Sequence, residues 1–175
     1  MVLIRANWSH NPQAPVDTIE DVLRESIGTI RSIVRGRFHG EYIGYRPDPI
    51  PFIIIRIEDS LIEVPITHTA FKPILEKAYR TLGDYEKRRL LAYEASGVFK
   101  IQPYIIQLLT LDAIQLSKLL GIRTAKDLIR TLLEHPLSRE RAGMIGRRGV
   151  EWLVGRMTEV GLLSWNGSCI SQTCS

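Results

Sequence analysis

Leu111-Asp112-Ala113-Ile114-Gln115-Leu116-Ser117-Lys118-Leu119-Leu120-Gly121-Ile122-Arg123-Thr124-Ala125-Lys126-Asp127 decides the reading of the C-terminal half. The first ten residues have the composition of a helix. Gly121-Ile122 turns the chain, and Thr124 to Asp127 has the spacing of a capping box that opens the next helix. Downstream, Ile145-Gly146-Arg147-Arg148 leads into a helix carrying Val150, Leu153, Val154, Met157 and Val160, closed by Gly161-Leu162-Leu163.

Working outward from this stretch, helices are expected at 103–109, 111–120, 125–134, 138–144 and 147–160, with Pro103 suited to a first helical turn. The helical pattern starts at Thr69, where Phe71, Ile74, Leu75, Ala78 and Leu82 share one stripe. Gly83-Asp84 breaks it. A further helix is expected through about Ala95, ended by Gly97.

Residues 28–66 differ in character, being rich in Ile, Val, Phe and Tyr and punctuated by Gly and Pro. They read as strands at 29–38, 41–46, 52–58 and 61–66, with Glu58-Asp59-Ser60 as a tight turn. Phe52-Ile53-Ile54-Ile55 is apolar on both faces and reads as a central, covered strand. Pro47, Pro49 and Pro51 stiffen the connection before it. Ahead of the sheet, Asp17 and Glu20 suit a capping box for a short helix whose stripe is Ile19, Val22, Leu23 and Ile27. No internal repeat of 20–50 residues appears.

The fold class expected is therefore α+β. A small antiparallel sheet or partial barrel with flanking helices fills residues 1–100, and a compact all-helical domain with a short tail fills 101–175.

The stretch 109–163 resembles the tandem helix-hairpin-helix class, and is particularly similar to the C-terminal domain of the bacterial RNA polymerase alpha subunit. The shared features are a helix, a Gly-Ile turn, a Thr-capped helix, and a Gly-basic-basic hairpin opening a final helix. The resemblance implies hairpin turns whose backbone N–H groups grip phosphate oxygens without reading sequence. It places Gly146, Arg147 and Arg148 on the phosphate-contacting hairpin and Gln115 at a polar DNA-contacting position. Lys118 and Arg123, beside the first turn, complete the expected nucleic-acid-binding set. The chain departs from the pattern at Asp112, which stands where the polymerase domain carries a DNA-contacting Arg. A carboxylate facing phosphate there would repel it.

A winged helix is the alternative for this region. Its helices would be 125–134, 138–144 and 147–160, with wing strands at 162–165 and 168–171 around Asn166-Gly167. Arg147, Arg148 and Trp152 would then lie on a recognition helix.

Composition fits a soluble chain with a real core: 45% hydrophobic and 24% charged residues in 175. The net charge of +4 is uneven, because residues 1–70 hold 7 basic and 9 acidic side chains and residues 71–175 hold 16 and 10. A basic C-terminal part favours a polyanionic partner. Among the basic residues 17 are Arg and 6 Lys, and Arg has the planar fork that suits phosphate or carboxylate.

Cys169 and Cys174 are the only cysteines and match no zinc pattern, so reduced thiols are expected. No apolar run is long enough to span a bilayer, and the first residues do not read as a signal peptide. The expected location is cytoplasmic.

No phosphate-binding, dinucleotide-binding, metalloprotease or nucleophile-elbow motif is present, so neither cofactor nor metal is expected. His10, His39, His68 and His135 are far apart in sequence; His39 and His68 are the pair that could meet across the sheet. Lys87-Arg88-Arg89 reads as a solvated helix face, and Trp152 lies off its helix's apolar stripe. Arg31, Arg35 and Arg37 share one parity in the first expected strand, near Tyr42 and Tyr45, and form a possible second basic face.

The function expected is a non-enzymatic adaptor that binds nucleic acid, DNA or RNA, or a nucleoprotein complex. The alternative is a structural subunit of a protein assembly, docking a protein partner through the helical domain.

Overall fold

A computed structural model describes residues 19–47 and 50–165. The chain is α+β, and it divides into two compact units between Glu86 and Lys87.

In the first unit, α1 (Ile19–Glu25) and α2 (Ile27–Ile33) are joined at Ser26. The last turn of α2 widens into a π turn, Val34–Phe38, which ends at His39 in the left-handed region (φ 53°). Three strands follow: β1 (Glu41–Arg46), β2 (Phe52–Ile57) and β3 (Ser60–Pro65). They form an antiparallel meander in the order β1-β2-β3. A 3-10 turn, Thr69–Phe71, leads into α3 (Lys72–Thr81).

The expected strand at 29–38 is helical instead, so the sheet has three strands rather than four. Its β-branched residues suggested a strand. The burial shows what decides: Ile30 and Val34 are fully buried and Phe38 half-buried, while Ser32 and Gly36 between them are exposed, and a strand would turn all five to one side. Phe38 stacks on Phe71 with ring centroids 5.8 Å apart.

β2 is the central strand, as its apolar run suggests, but its two faces differ. Ile53 and Ile55 are fully buried, whereas Phe52 and Ile54 are only half-buried. The outer face is closed by charge. Arg46 lies over the Phe52 ring at 4.6 Å and donates from Nε (3.1 Å) and Nη2 (2.6 Å) to the two carboxylate oxygens of Glu63.

A bulge between Tyr42 and Gly44 leaves Ile43 out of the ladder. Tyr42 therefore pairs with Ile55 and Tyr45 with Ile53, and both tyrosines face the helix side with the buried isoleucines. Gly40 is needed where the chain enters β1: a Cβ there would lie 2.6 Å from Ile55 Cγ2, 2.8 Å from the Arg56 carbonyl oxygen and 2.9 Å from Ile57 Cγ1.

The helix α4 (Asp84–Phe99) runs across the division of the chain and passes Gly97 without a break. In the second unit, α5 (Pro103–Leu119) is one helix where the sequence suggests two. No breaker stands at the expected join: Thr110 is buried and returns its hydroxyl to the Gln107 carbonyl at 2.6 Å. The helix α6 (Ala125–Glu134) has the expected bounds, and the Thr124 hydroxyl accepts from the Asp127 amide at 3.1 Å. Finally, α7 (Arg139–Glu159) is interrupted at Gly146, where the backbone leaves helical geometry.

The core of the second unit is Leu90, Leu91, Ile106, Leu109, Leu116, Leu128, Leu153 and Met157, with smaller residues between. Leu162–Trp165, the first wing strand of the winged-helix reading, carry no strand; instead Trp165 Nε1 donates to Thr158 Oγ1 at 3.2 Å on α7. Asp17, Pro49, the second wing strand, Cys169 and Cys174 lie outside the described residues. No helix among those described is long and apolar enough to cross a membrane.

Two outcomes are expected from this packing. Gly40→Ala places a methyl against backbone and should lower unfolding stability by about 1–3 kcal/mol, read as a reduced denaturation midpoint. The Arg46 hydrogen bonds hold the Glu63 carboxyl below its ordinary range. A carboxyl depressed in the folded state stabilises above its unfolded-state pKa and loses that contribution as pH falls through the folded value. The urea midpoints of wild type and Glu63→Gln should therefore differ at neutral pH and converge on acidification. A gap that persists below the folded pKa of Glu63 would contradict the assignment.

Candidate functional site

The sequence-derived residues of the second unit fall on three segments. Gln115 and Lys118 are exposed on the last turns of α5, and Arg123 is exposed in the loop before α6. The loop is tied back by the Ile122 amide, which donates to the Ser117 carbonyl at 2.9 Å. Gly146 sits at the break in α7 with φ 77° and ψ 173°, a backbone position that an L side chain resists.

Because Gly146 takes that conformation, the residues after it begin a new helical segment rather than continue the old one. Arg147 and Arg148 are the first two side chains of that segment, and both are exposed. Arg147 has only a loose contact with Glu151, 3.9 Å away one turn along the helix. Among the described residues no carboxylate lies within ion-pair distance of Arg148, Arg123 or Lys118, so these charges are available to an outside partner.

Asp112 changes the electrostatic picture. It is buried, 5% exposed, and does not present its carboxylate to solvent. Arg141, near the start of α7, grips it from the side: Nε donates to Oδ2 at 3.0 Å and Nη2 to Oδ1 at 3.1 Å. The same guanidinium donates to the Leu137 carbonyl at 3.3 Å. The repulsion expected from a carboxylate facing phosphate at this position does not arise, because the charge is internal and matched.

A second pair ties α4 to α7. Arg156 is only 11% exposed and donates from Nε to Glu94 Oε1 at 3.1 Å and from Nη1 to Glu159 Oε2 at 3.0 Å. Ser138 is fully buried, and its hydroxyl donates to the Leu132 carbonyl at 2.9 Å, which fixes the corner between α6 and α7. Sequence inspection missed Arg141 and Arg156 as organising residues. Their positions carry no motif, and only the fold brings their partners near.

Trp152 is half-buried and meets Phe99 edge-on, with centroids 5.6 Å apart, so it packs inside the unit. Lys87, Arg88 and Arg89 are half-buried rather than fully solvated. Apolar side chains are nevertheless exposed along α5: Tyr104 at 59%, Leu108 at 40% and Leu119 at 77%.

In the first unit the proposed basic face needs correction. Since residues 29–38 are helical, Arg31 and Arg35 stand one turn apart on one side. Arg37 is two positions further, roughly half-way round the helix, and does not join them. The Arg31 guanidinium lies over the Tyr42 ring, 5.8 Å from its centroid.

The histidines are differently placed. His68 caps the 3-10 turn, its Nδ1 accepting from the Ala70 amide at 3.1 Å, and its ring meets Phe38 edge-on at 5.4 Å. His39 is exposed at the end of the π turn. No group of three or more His, Cys, Asp or Glu with metal-binding geometry occurs among the described residues.

Asp112→Asn should cost about 2–4 kcal/mol of stability, because Arg141 then keeps a partly buried charge without its counter-charge. Asp112→Arg should destabilise further, because it sets a second guanidinium against Arg141 at a buried position. Thermal unfolding of wild type and both variants checks the order, and an Asp112→Arg variant as stable as Asp112→Asn would contradict it.

Comparison with protein-family models, with curated proteins and with solved structures gave no significant match.

Proposed function

We propose that the second unit is a non-enzymatic binding module of helix-hairpin-helix type, an adaptor that holds nucleic acid or a nucleoprotein complex by its phosphates. The observation that carries this reading is the break of α7 at Gly146, with exposed Arg147 and Arg148 opening the segment that follows. A helix start offers backbone N–H groups and a positive end, and two adjacent guanidiniums add charge and fork geometry for phosphate oxygens. Such contacts fix position on a nucleic acid without reading bases. The internal pairing of Asp112 supports the reading, since the carboxylate that departs from the helix-hairpin-helix pattern is turned inward onto Arg141. Gln115, Lys118 and Arg123 supply further polar and basic contacts from the α5 end.

A second reading is favoured by one specific feature, the exposed Tyr104, Leu108 and Leu119 on α5. These suit a protein partner and would make the module a structural subunit of an assembly.

Binding to short DNA and RNA, measured at two salt concentrations, separates the two. On the phosphate reading, affinity falls steeply with salt, and Arg147→Glu/Arg148→Glu weakens binding to every sequence and reduces the salt slope by about 2. A flat salt response, or no binding at low salt, sinks it. On the protein reading, a defined partner survives nuclease treatment, is lost with Leu108→Glu/Leu119→Glu, and is kept by the Arg147/Arg148 variant.

A further inference from the structure

The first unit carries a recess of about 310 Å³ lined by Arg31, Arg35, Gly40, Glu41 and Tyr42. It lies where the end of α2 meets the start of β1. Its size is at the lower end for small-molecule sites, enough for one ligand of nucleotide size.

Two guanidiniums reach it from one helix. Arg31 and Arg35 are both exposed, and among the described residues neither has a carboxylate within ion-pair distance. Arg31 is held over the Tyr42 ring at 5.8 Å, so part of the entropy of ordering it is already spent. Tyr42 itself is fixed by its pairing with Ile55.

Glu41 is the group that would oppose an anion here. Along β1 it alternates with Tyr42 and pairs with Arg56, whose Nη1 is 3.8 Å from Glu41 Oε2 on the other face of the sheet. Its carboxylate is thus directed to Arg56 and away from the arginines of α2. Gly40 keeps the floor low, because any side chain there would strike β2.

We propose that this recess binds a phosphomonoester, with Arg31 and Arg35 as the phosphate ligands and Tyr42 as a positioning residue for Arg31. Two unpaired guanidiniums match the near-double negative charge of a phosphomonoester better than the single charge of a backbone diester. A free phosphate and a mononucleotide share this chemistry. The proposal stands apart from the Gly146 hairpin, which lies in the other unit and carries different arginines.

The test is a titration of the full chain, followed by amide and tyrosine NMR shifts, with inorganic phosphate, adenosine 5′-monophosphate, adenosine, and a short oligothymidine with and without a 5′-phosphate. The phosphate-bearing probes should shift Arg31, Arg35 and Tyr42, and adenosine should not. Arg31→Gln and Arg35→Gln should each weaken binding at least tenfold, whereas Arg37→Gln should change it less than twofold. Tighter binding of the nucleotide than of phosphate assigns a nucleotide as the ligand, and equal binding assigns free phosphate; either supports the site.

Equal shifts from the two oligothymidines would assign the contact to backbone diesters and overturn the phosphomonoester claim. So would the absence of shifts at millimolar phosphate, or affinity unchanged in Arg31→Gln/Arg35→Gln. Because Arg147→Glu/Arg148→Glu should leave these shifts intact, the result is independent of the fate of the hairpin reading.

Discussion

The arrangement of the helical unit depends on a carboxylate that is kept inside. Asp112 lies on a face of α5 that is otherwise apolar, between Leu109, Ala113 and Leu116. A charge in that position is unfavourable unless a partner reaches it with good geometry. Arg141 does so with two nitrogens, and its own carbonyl contact to Leu137 holds it in place. The pair fixes the first segment of α7 against α5. The segment so held ends at Gly146, after which Arg147 and Arg148 emerge. Ser138 and Arg156 act on the same helix from its two ends, through Leu132 and Glu94. The exposed arginines are thus set by partly buried ones.

The first unit is organised by close approach rather than by a buried charge. Gly40 lets the chain pass against Ile55, Arg56 and Ile57 as it enters the sheet. The bulge at Ile43 then brings Tyr42 and Tyr45 to the same side. Without the bulge, their spacing of three would send them to opposite faces. Tyr42 is half-buried, and burial first, with its neighbour Tyr45, raises its hydroxyl above the usual tyrosine range, while Arg31 acts in the opposite direction. The ring serves as a surface for the Arg31 guanidinium.

Much of the helical unit was legible in the sequence. The Thr124 cap, the reversal at Gly121-Ile122 and the bounds of α6 follow from local chemistry that acts within four or five residues. So does the break at Gly146. The errors share a cause. At 29–38 the β-branched composition pointed to a strand, but Ile30 and Val34 are buried while Ser32 and Gly36 are exposed, a separation that a helix makes and a strand does not. Helices expected at 103–109 and 111–120 are one, because Thr110 between them bonds its hydroxyl within the same helix and the helix continues. The candidate site was legible as a set of exposed residues in the second unit and illegible in the first, where the face of Arg31, Arg35 and Arg37 depended on the element that carries them. The long-range ion pairs were not legible at all. Asp112 and Arg141 are 29 positions apart and Glu94 and Arg156 are 62 apart, and no spacing rule connects them.

The charge distribution shows why composition alone misleads about where a partner binds. The C-terminal excess of basic residues counts Arg141 and Arg156 with Arg147 and Arg148. The first two are spent on internal carboxylates, and only the last two face solvent at the helix break. The N-terminal part is acidic by count, yet its Arg46 and Arg56 are matched across the sheet by Glu63 and Glu41, which leaves the α2 arginines locally unopposed. A partner responds to the field at the surface, and that field is set by the charges that have no internal counterpart. Pairing, rather than net charge, therefore separates the arginines that hold this protein together from those that can hold something else.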